Sequence, residues 1–315
     1  MLDSSFDNQP HDGSFRDVLR YYSRKLKRRP IYRAWHESSR SVKRFVPLMW
    51  RLATHDFRQL PSAIIVGTMK GGTTQLFAYL IRHPQLFPPC NKEIDYFSRH
   101  SDKSLQWYRS RFPMRRRLVA AKGLALEASP SYLSTPSAWA KMHAVLPDVR
   151  LIAVLRDPVS RAFSHYQHLK TRHKEQRSFG HAVDELLQQD RMPAQFGVAR
   201  RPESPSFSGY IARGYYALQL EPLLQLYPHE QVLILDSADL FADTNGVCQQ
   251  VFDFLEVEPY EVQPGKVYNR GYYNETIDPA VAARLREHYR PYDELLMRLV
   301  GHSFSWMPRR LAKAA

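Results

Sequence analysis

From about residue 60 onward, short β-branched runs alternate with stretches whose apolar residues recur every three or four positions. Ala63–Val66, Arg150–Leu155 and Gln231–Leu235 read as buried strands, nearly continuous in apolar residues as parallel strands are. Helical spacing is predicted over residues 73–82, 158–172, 180–189, 216–226, 244–255 and 279–299. Strand and helix in alternation predict an α/β domain whose central sheet is mainly parallel and flanked by helices. Residues 98–123 and 190–209 follow neither period. Both are polar and rich in Arg and Pro, and they are predicted to loop over the carboxyl edge of the sheet, where such folds bind ligands.

The first strand leads into chemistry. Residues 64–75 read Ile-Ile-Val-Gly-Thr-Met-Lys-Gly-Gly-Thr-Thr-Gln, a P-loop-like strand, glycine turn and helix start. Gly67 and Gly72 keep the spacing of G-x-x-x-x-G-K-[ST], but Thr73 stands where a nucleotide kinase has its lysine. The cation lies inside the loop, at Lys70, ahead of Gly71, Gly72, Thr73 and Thr74. Free N–H groups at a helix N-terminus bind anions. The displaced lysine points away from ATP and towards another phosphate-bearing donor.

The second strand ends in an arginine. Leu155-Arg156-Asp157-Pro158 places Asp157 as a helix cap and Pro158 at the first helical position. Ser164 follows about two turns into that helix. An arginine fork and a hydroxyl can hold one phosphate. Taken by itself, Arg156 is as well explained by an ion pair with a nearby acid.

Together the two segments resemble the donor-binding motifs of sulfotransferases: Gly67–Gln75 is similar to their 5′-phosphosulfate loop, and Leu155–Ser164 to their 3′-phosphate motif. The likeness is to the heparan sulfate N- and O-sulfotransferase branch and its bacterial relatives, and runs from about Ile64 to Trp306. It implies 3′-phosphoadenosine 5′-phosphosulfate (PAPS) as donor, with PAP as product; no metal is expected, because Lys70 and the loop supply the positive charge and no ligand cluster has metal spacing. Lys92-Glu93-Ile94-Asp95-Tyr96-Phe97 resembles the segment bearing that branch's catalytic base, which implies Glu93 in that role beside Lys70. Ala212–Tyr216 resembles a helix start of the branch. Asn269-Arg270-Gly271-Tyr272 stands where the family closes over its donor, which implies donor contacts for Arg270 and Gly271. Asp95 and Ala128 depart from the family's histidine and lysine. The acceptor is left open among a polysaccharide, a lipid-linked sugar, a small metabolite and a tethered intermediate.

Composition adds a location and a second surface. The net charge is +14, and residues 1–58 hold 13 Lys/Arg against 6 Asp/Glu. Arg24-Lys25-Leu26-Lys27-Arg28-Arg29 runs into Trp35, Phe45 and Trp50, a mixture suited to an anionic membrane surface or, less well here, to nucleic acid. The chain is expected to divide into a basic extension, 1–58, and a sulfotransferase domain, 59–315. No apolar run reaches the roughly 18 residues of a membrane span, and residues 1–17 lack a signal-peptide core. Two cysteines, Cys90 and Cys248, make no disulfide framework, so a cytoplasmic protein is expected, peripheral at the inner membrane face through its arm. Two other readings compete: a P-loop kinase, for which Leu235-Asp236 would be the magnesium-binding strand end, and a basic nucleotide-binding protein without catalysis.

Overall fold

The computed structural model describes residues 49–190, 209–263 and 275–308. Contacts divide the chain at Thr54, and the larger unit starts at His55. It contains five strands: β1 (Ala63–Gly67), β2 (Leu86–Phe87), β3 (Leu124–Ala128), β4 (Arg150–Leu155) and β5 (Val232–Asp236). The helices are α1 (Thr73–Leu80), α2 (Leu105–Arg109), α3 (Arg115–Ala121), α4 (Pro136–Val145), α5 (Pro158–Lys170), α6 (Phe179–Asp190), α7 (Tyr216–Leu226), α8 (Ser237–Ala242), α9 (Thr244–Leu255) and α10 (Pro279–Val300).

The strands lie in the order β2-β3-β1-β4-β5, and every pairing is parallel. Successive side chains of β1 serve opposite faces, as strand geometry requires. Ile64 and Val66 pack with α4, α5, α7 and α10, whereas Ala63 and Ile65 pack with α1, α8 and α9. Both faces are therefore covered, and polar loop groups are left for the strand ends. After β1 the chain turns to β2 on one side; after β4 it turns to β5 on the other. The crevice at the carboxyl ends of β1 and β4 is thus the sheet's switch point, where doubly wound folds bind ligands.

The three predicted strands and six predicted helices are all present, with ends shifted by a residue or two. Residues 98–123 correct the expectation of a loop. They form α2 and α3, with Ser104 capping α2 by accepting from the Trp107 N–H, and α3 delivers the chain to the start of β3. Residues 191–208, most of the other expected loop, lie outside the described residues, as do Arg270, Gly271 and residues 1–48.

Helix α5 begins as read from the sequence. Asp157 accepts from the N–H groups of Val159 and Ser160, each at 3.2 Å, and Pro158 occupies the first turn. Asp157→Ala should destabilise the domain by about 1 kcal/mol, the typical worth of such a cap. Urea unfolding would register this as a lower midpoint at unchanged slope; an unmoved midpoint would refute it.

Candidate active site

The loop after β1 closes as a tight turn onto the N-terminus of α1. Gly72 caps α1 at φ 104°, a conformation that any side chain would strain, and a Cβ on Gly71 would lie 2.5 Å from the Val154 carbonyl oxygen. Thr73 opens α1 and is buried. Lys70 itself adopts φ 70°, left-handed for a non-glycine residue, as residues at functional turns often do.

The loop after β4 meets it. Arg156 Nη1 donates to the Lys70 carbonyl oxygen at 3.3 Å, so the two motifs read 86 positions apart in the chain share one crevice. Burial, then the neighbouring Arg156 and Arg172, lower the Lys70 pKa. Three cations therefore converge where the sheet switches direction. Ser164 is buried on α5, two turns beyond Arg156. Tyr216 fixes the strand end from below by donating to the Arg156 carbonyl at 2.7 Å.

The Glu93 segment meets the same loop. Lys92 Nζ donates to Thr74 Oγ1 and to Glu93 Oε1, both at 2.9 Å, and so ties this segment to the anion loop. The Glu93 side chain is about half exposed, at 52%. Asp95 is buried, accepts from Ser131 Oγ at 2.6 Å and pairs with Arg99 at 3.5 Å. The Thr74 hydroxyl, read from the sequence only as a phosphate ligand, is also a partner of Lys92.

Sequence reading gave Lys92, Arg172 and His168 no role in the site. His168 stands near Lys70, Arg172 and Glu93; burial, then Lys70 and Arg172, lower its pKa. Arg172 follows the end of α5 in a run of basic residues that gives no local sign of its proximity to Lys70. Arg213, from the segment before α7, reaches Met69 Sδ at 3.0 Å, inside the anion loop. Burial, then Arg161 and Arg99, bring its pKa down to about 10. His165 is buried on α5, and burial, with Arg161 next, pushes its pKa down to about 3. A ring so placed stays neutral and is not a proton carrier near pH 7.

Trp107 and Tyr108 belong to an aromatic cluster with Tyr96, and Trp139 donates to the Tyr132 carbonyl at 3.0 Å, so these rings pack rather than line a sugar platform. Asp236, the one strand-end aspartate that a kinase reading needs, caps α8 through Ala238 N–H at 2.8 Å. Its other oxygen accepts from Ser305 N–H at 2.7 Å. Among the described residues no group of three His, Cys, Asp or Glu is arranged to hold a metal, and no helix is long and apolar enough to cross a membrane. Cys90 and Cys248 are both free.

Residues 60–284 match the family model of the sulfotransferase domain. The chain is similar to the human heparan sulfate glucosamine 3-O-sulfotransferases 3B1 and 3A1, at 31% identity to each over 272 residues, or 79% of this chain. It spans 65% and 63% of their lengths, slightly under two thirds. Among solved structures it is similar to the sulfotransferase from Alicyclobacillus acidocaldarius, with a TM-score of 0.59 and 25% identity. That match covers 77% of this chain and 96% of the other.

A neutral His165 has a consequence for stability. Its pKa in the fold, about 3, lies below its ordinary 6.5, so its favourable contribution is complete above pH 6.5 and is lost as pH falls from 6.5 towards 3. His165→Gln, which cannot titrate, should flatten the fall in stability over that range. Chemical denaturation at a series of pH values measures the slopes, and equal slopes would contradict the assignment.

Proposed function

The chain belongs to the sulfotransferase domain family, and we propose that it transfers a sulfuryl group from PAPS to a hydroxyl, or an amine, of a carbohydrate or other small or lipid-linked acceptor. The observation that carries this reading is the meeting of Lys70 and Arg156 at the switch point, with Arg172 beside them. Burial first, then the two neighbouring arginines, lower this lysine's pKa; cations so gathered suit a ligand with several negative charges, and PAPS carries phosphate at both ends of one ribose. When bound, it supplies an activated sulfuryl group on a phosphate leaving group.

The protein's own part is positioning and charge stabilisation, as in phosphoryl transfer. Thr73, Thr74 and the N-terminal N–H groups of α1 hold the 5′ end. Lys70 neutralises charge on the leaving oxygen. Arg156 and Ser164 hold the 3′-phosphate, and the family resemblance assigns Arg270 and Gly271 to the same nucleotide. Glu93 accepts the acceptor's proton, a role worth typically 10²–10⁴-fold in rate. Its ion pair with Lys92, at 2.9 Å, holds the carboxylate in place.

The names of the glucosamine 3-O-sulfotransferase relatives support a sugar hydroxyl as the acceptor group. The division into a basic extension, 1–58, and a catalytic domain, 59–315, belongs to the same proposal, with the extension steering the enzyme to an anionic membrane surface at the cytoplasmic side. Radiolabelled PAPS offered with a heparan sulfate oligosaccharide and an alkyl glucoside tests the assignment. Label on a sugar supports it. A protein whose melting temperature rises with ATP but not with PAP, and which labels neither sugar, refutes it.

Two substitutions separate binding from chemistry. Arg156→Ala should weaken PAP binding by roughly 1.5–3 kcal/mol, the worth of a hydrogen bond to a charged group, and adenosine 5′-phosphosulfate binding far less. Equal losses in calorimetric titrations would make Arg156 merely structural. Glu93→Gln should lower kcat by roughly 10²-fold while PAP affinity stays nearly the same. Wild-type turnover in that variant would move the base elsewhere.

A further inference from the structure

Glu127 has no part in the chemistry above, yet it is fully buried one residue from the end of β3. Its carboxylate accepts three hydroxyl donors: Tyr108, Ser129 at 2.7 Å and Tyr132 at 2.8 Å. Two of these hydroxyls are themselves acceptors. The Asp95 N–H donates to Ser129 Oγ at 3.1 Å, and the Phe97 N–H donates to the Tyr132 hydroxyl at 3.4 Å. The Glu93 N–H donates to the Ala128 carbonyl at 3.0 Å. Alternate amides of the segment, at 93, 95 and 97, thus all hang on residues 128–132.

That anchoring matters because Glu93 and Asp95 both stand in the left-handed region, at φ 60° and 54°. Non-glycine residues keep such conformations only where their surroundings over-determine them. The third donor, Tyr108, also stacks its ring on Tyr96 at 4.3 Å, which adds a side-chain anchor to the same segment.

We propose that Glu127 is a positioning residue, whose buried carboxylate orients the Ser129 and Tyr132 hydroxyls so that they hold the Asp95 and Phe97 amides and thereby set the place of Glu93. This rests on the reading of Glu93 as the base. Only the ionised form serves, because a carboxylate is purely an acceptor, whereas a protonated one must place its own hydrogen among three donors. The groups acting on Glu127 are the hydroxyls of Tyr108, Ser129 and Tyr132 and the carboxylate of Asp95. Burial, the largest influence, raises its pKa to about 6. The ordinary carboxylate value is lower, so protonation is favoured in the fold. Acidification through pH 6 should therefore reduce turnover without unfolding the protein.

The test pairs hydrogen exchange with kinetics on the full chain. Glu127→Gln should speed exchange at the Asp95 and Phe97 amides about tenfold. It should also lower kcat about tenfold with a heparan sulfate oligosaccharide as acceptor probe, and leave PAP affinity within about twofold. The acid limb of kcat near pH 6 should vanish in that variant. Ser129→Ala and Tyr132→Phe keep Glu127 and cut one relay each, so each should speed exchange mainly at its own amide, Asp95 or Phe97 respectively. Unchanged exchange in all three variants overturns the inference, as does a loss of PAP affinity matching the loss of kcat. Faster exchange with wild-type turnover also overturns it. In that case, a Glu93→Gln enzyme that is still active puts the fault in the base assignment, and an inactive one puts it in the relay.

Discussion

Lys70, Arg156 and Arg172 repel one another, and the architecture around the crevice keeps them together. The register of β1 against β4 brings the two strand ends side by side, with Ile65 opposite Ile152 and Gly67 opposite Ala153. Covered on both faces, the sheet has no freedom to let them drift apart. Arg156 spends a hydrogen bond on the Lys70 carbonyl, which sets a dipole's negative end between the two charges. Tyr216 holds the Arg156 carbonyl, and Asp157 caps the helix that follows it. A site that is electrostatically unfavourable when empty becomes a strong one for a polyanion, because the arrangement cost is met during folding rather than at binding.

The sequence made part of this legible for identifiable reasons. β1, β4 and β5 are apolar runs with β-branched residues, the first two closed by a motif, and Asp157-Pro158 marks a helix start unambiguously. β2 has only two residues, too short for any period. β3 reads Leu-Ala-Leu-Glu-Ala, where a charged residue interrupts the apolar run and alanine offers little strand preference. Glu127 is tolerable there because Tyr108, Ser129 and Tyr132 bring hydroxyls to it, and nothing in the sequence ties Tyr108, 19 positions away, to that meeting. The same holds for Arg172 beside Lys70 and for Lys92 on Thr74, which are products of tertiary packing. The basic run Arg115–Arg117 hid α3, because three arginines in succession present no apolar stripe.

The two sides of the crevice are built by different means. The side proposed to take the nucleotide hangs on strand ends and a helix N-terminus, regular elements that place groups more precisely than loops do. The Glu93 side is an irregular segment held by hydroxyls and stacked rings. The departures from the family pattern fall on this second side. Asp95 stands where the likeness has histidine and is engaged with Ser131 and Arg99. Ala128 replaces a lysine; its methyl group joins the core beside α1, and only its carbonyl, accepting from Glu93, faces the segment. On the proposed function, the donor side matches the family pattern while the departures gather on the acceptor side.

Lys92 belongs to both sides at once. A single ammonium touches Thr74 in the anion loop and Glu93 opposite, so each half-site forms part of the other's environment. Linkage makes such sharing reciprocal: a ligand that draws the Thr74 hydroxyl into its own bonding alters how Lys92 holds Glu93, and a ligand engaged by Glu93 alters affinity at Thr74 by the same free energy. On the proposed function, the two half-sites form one thermodynamic unit, and neither substrate's affinity is a fixed property of its own pocket.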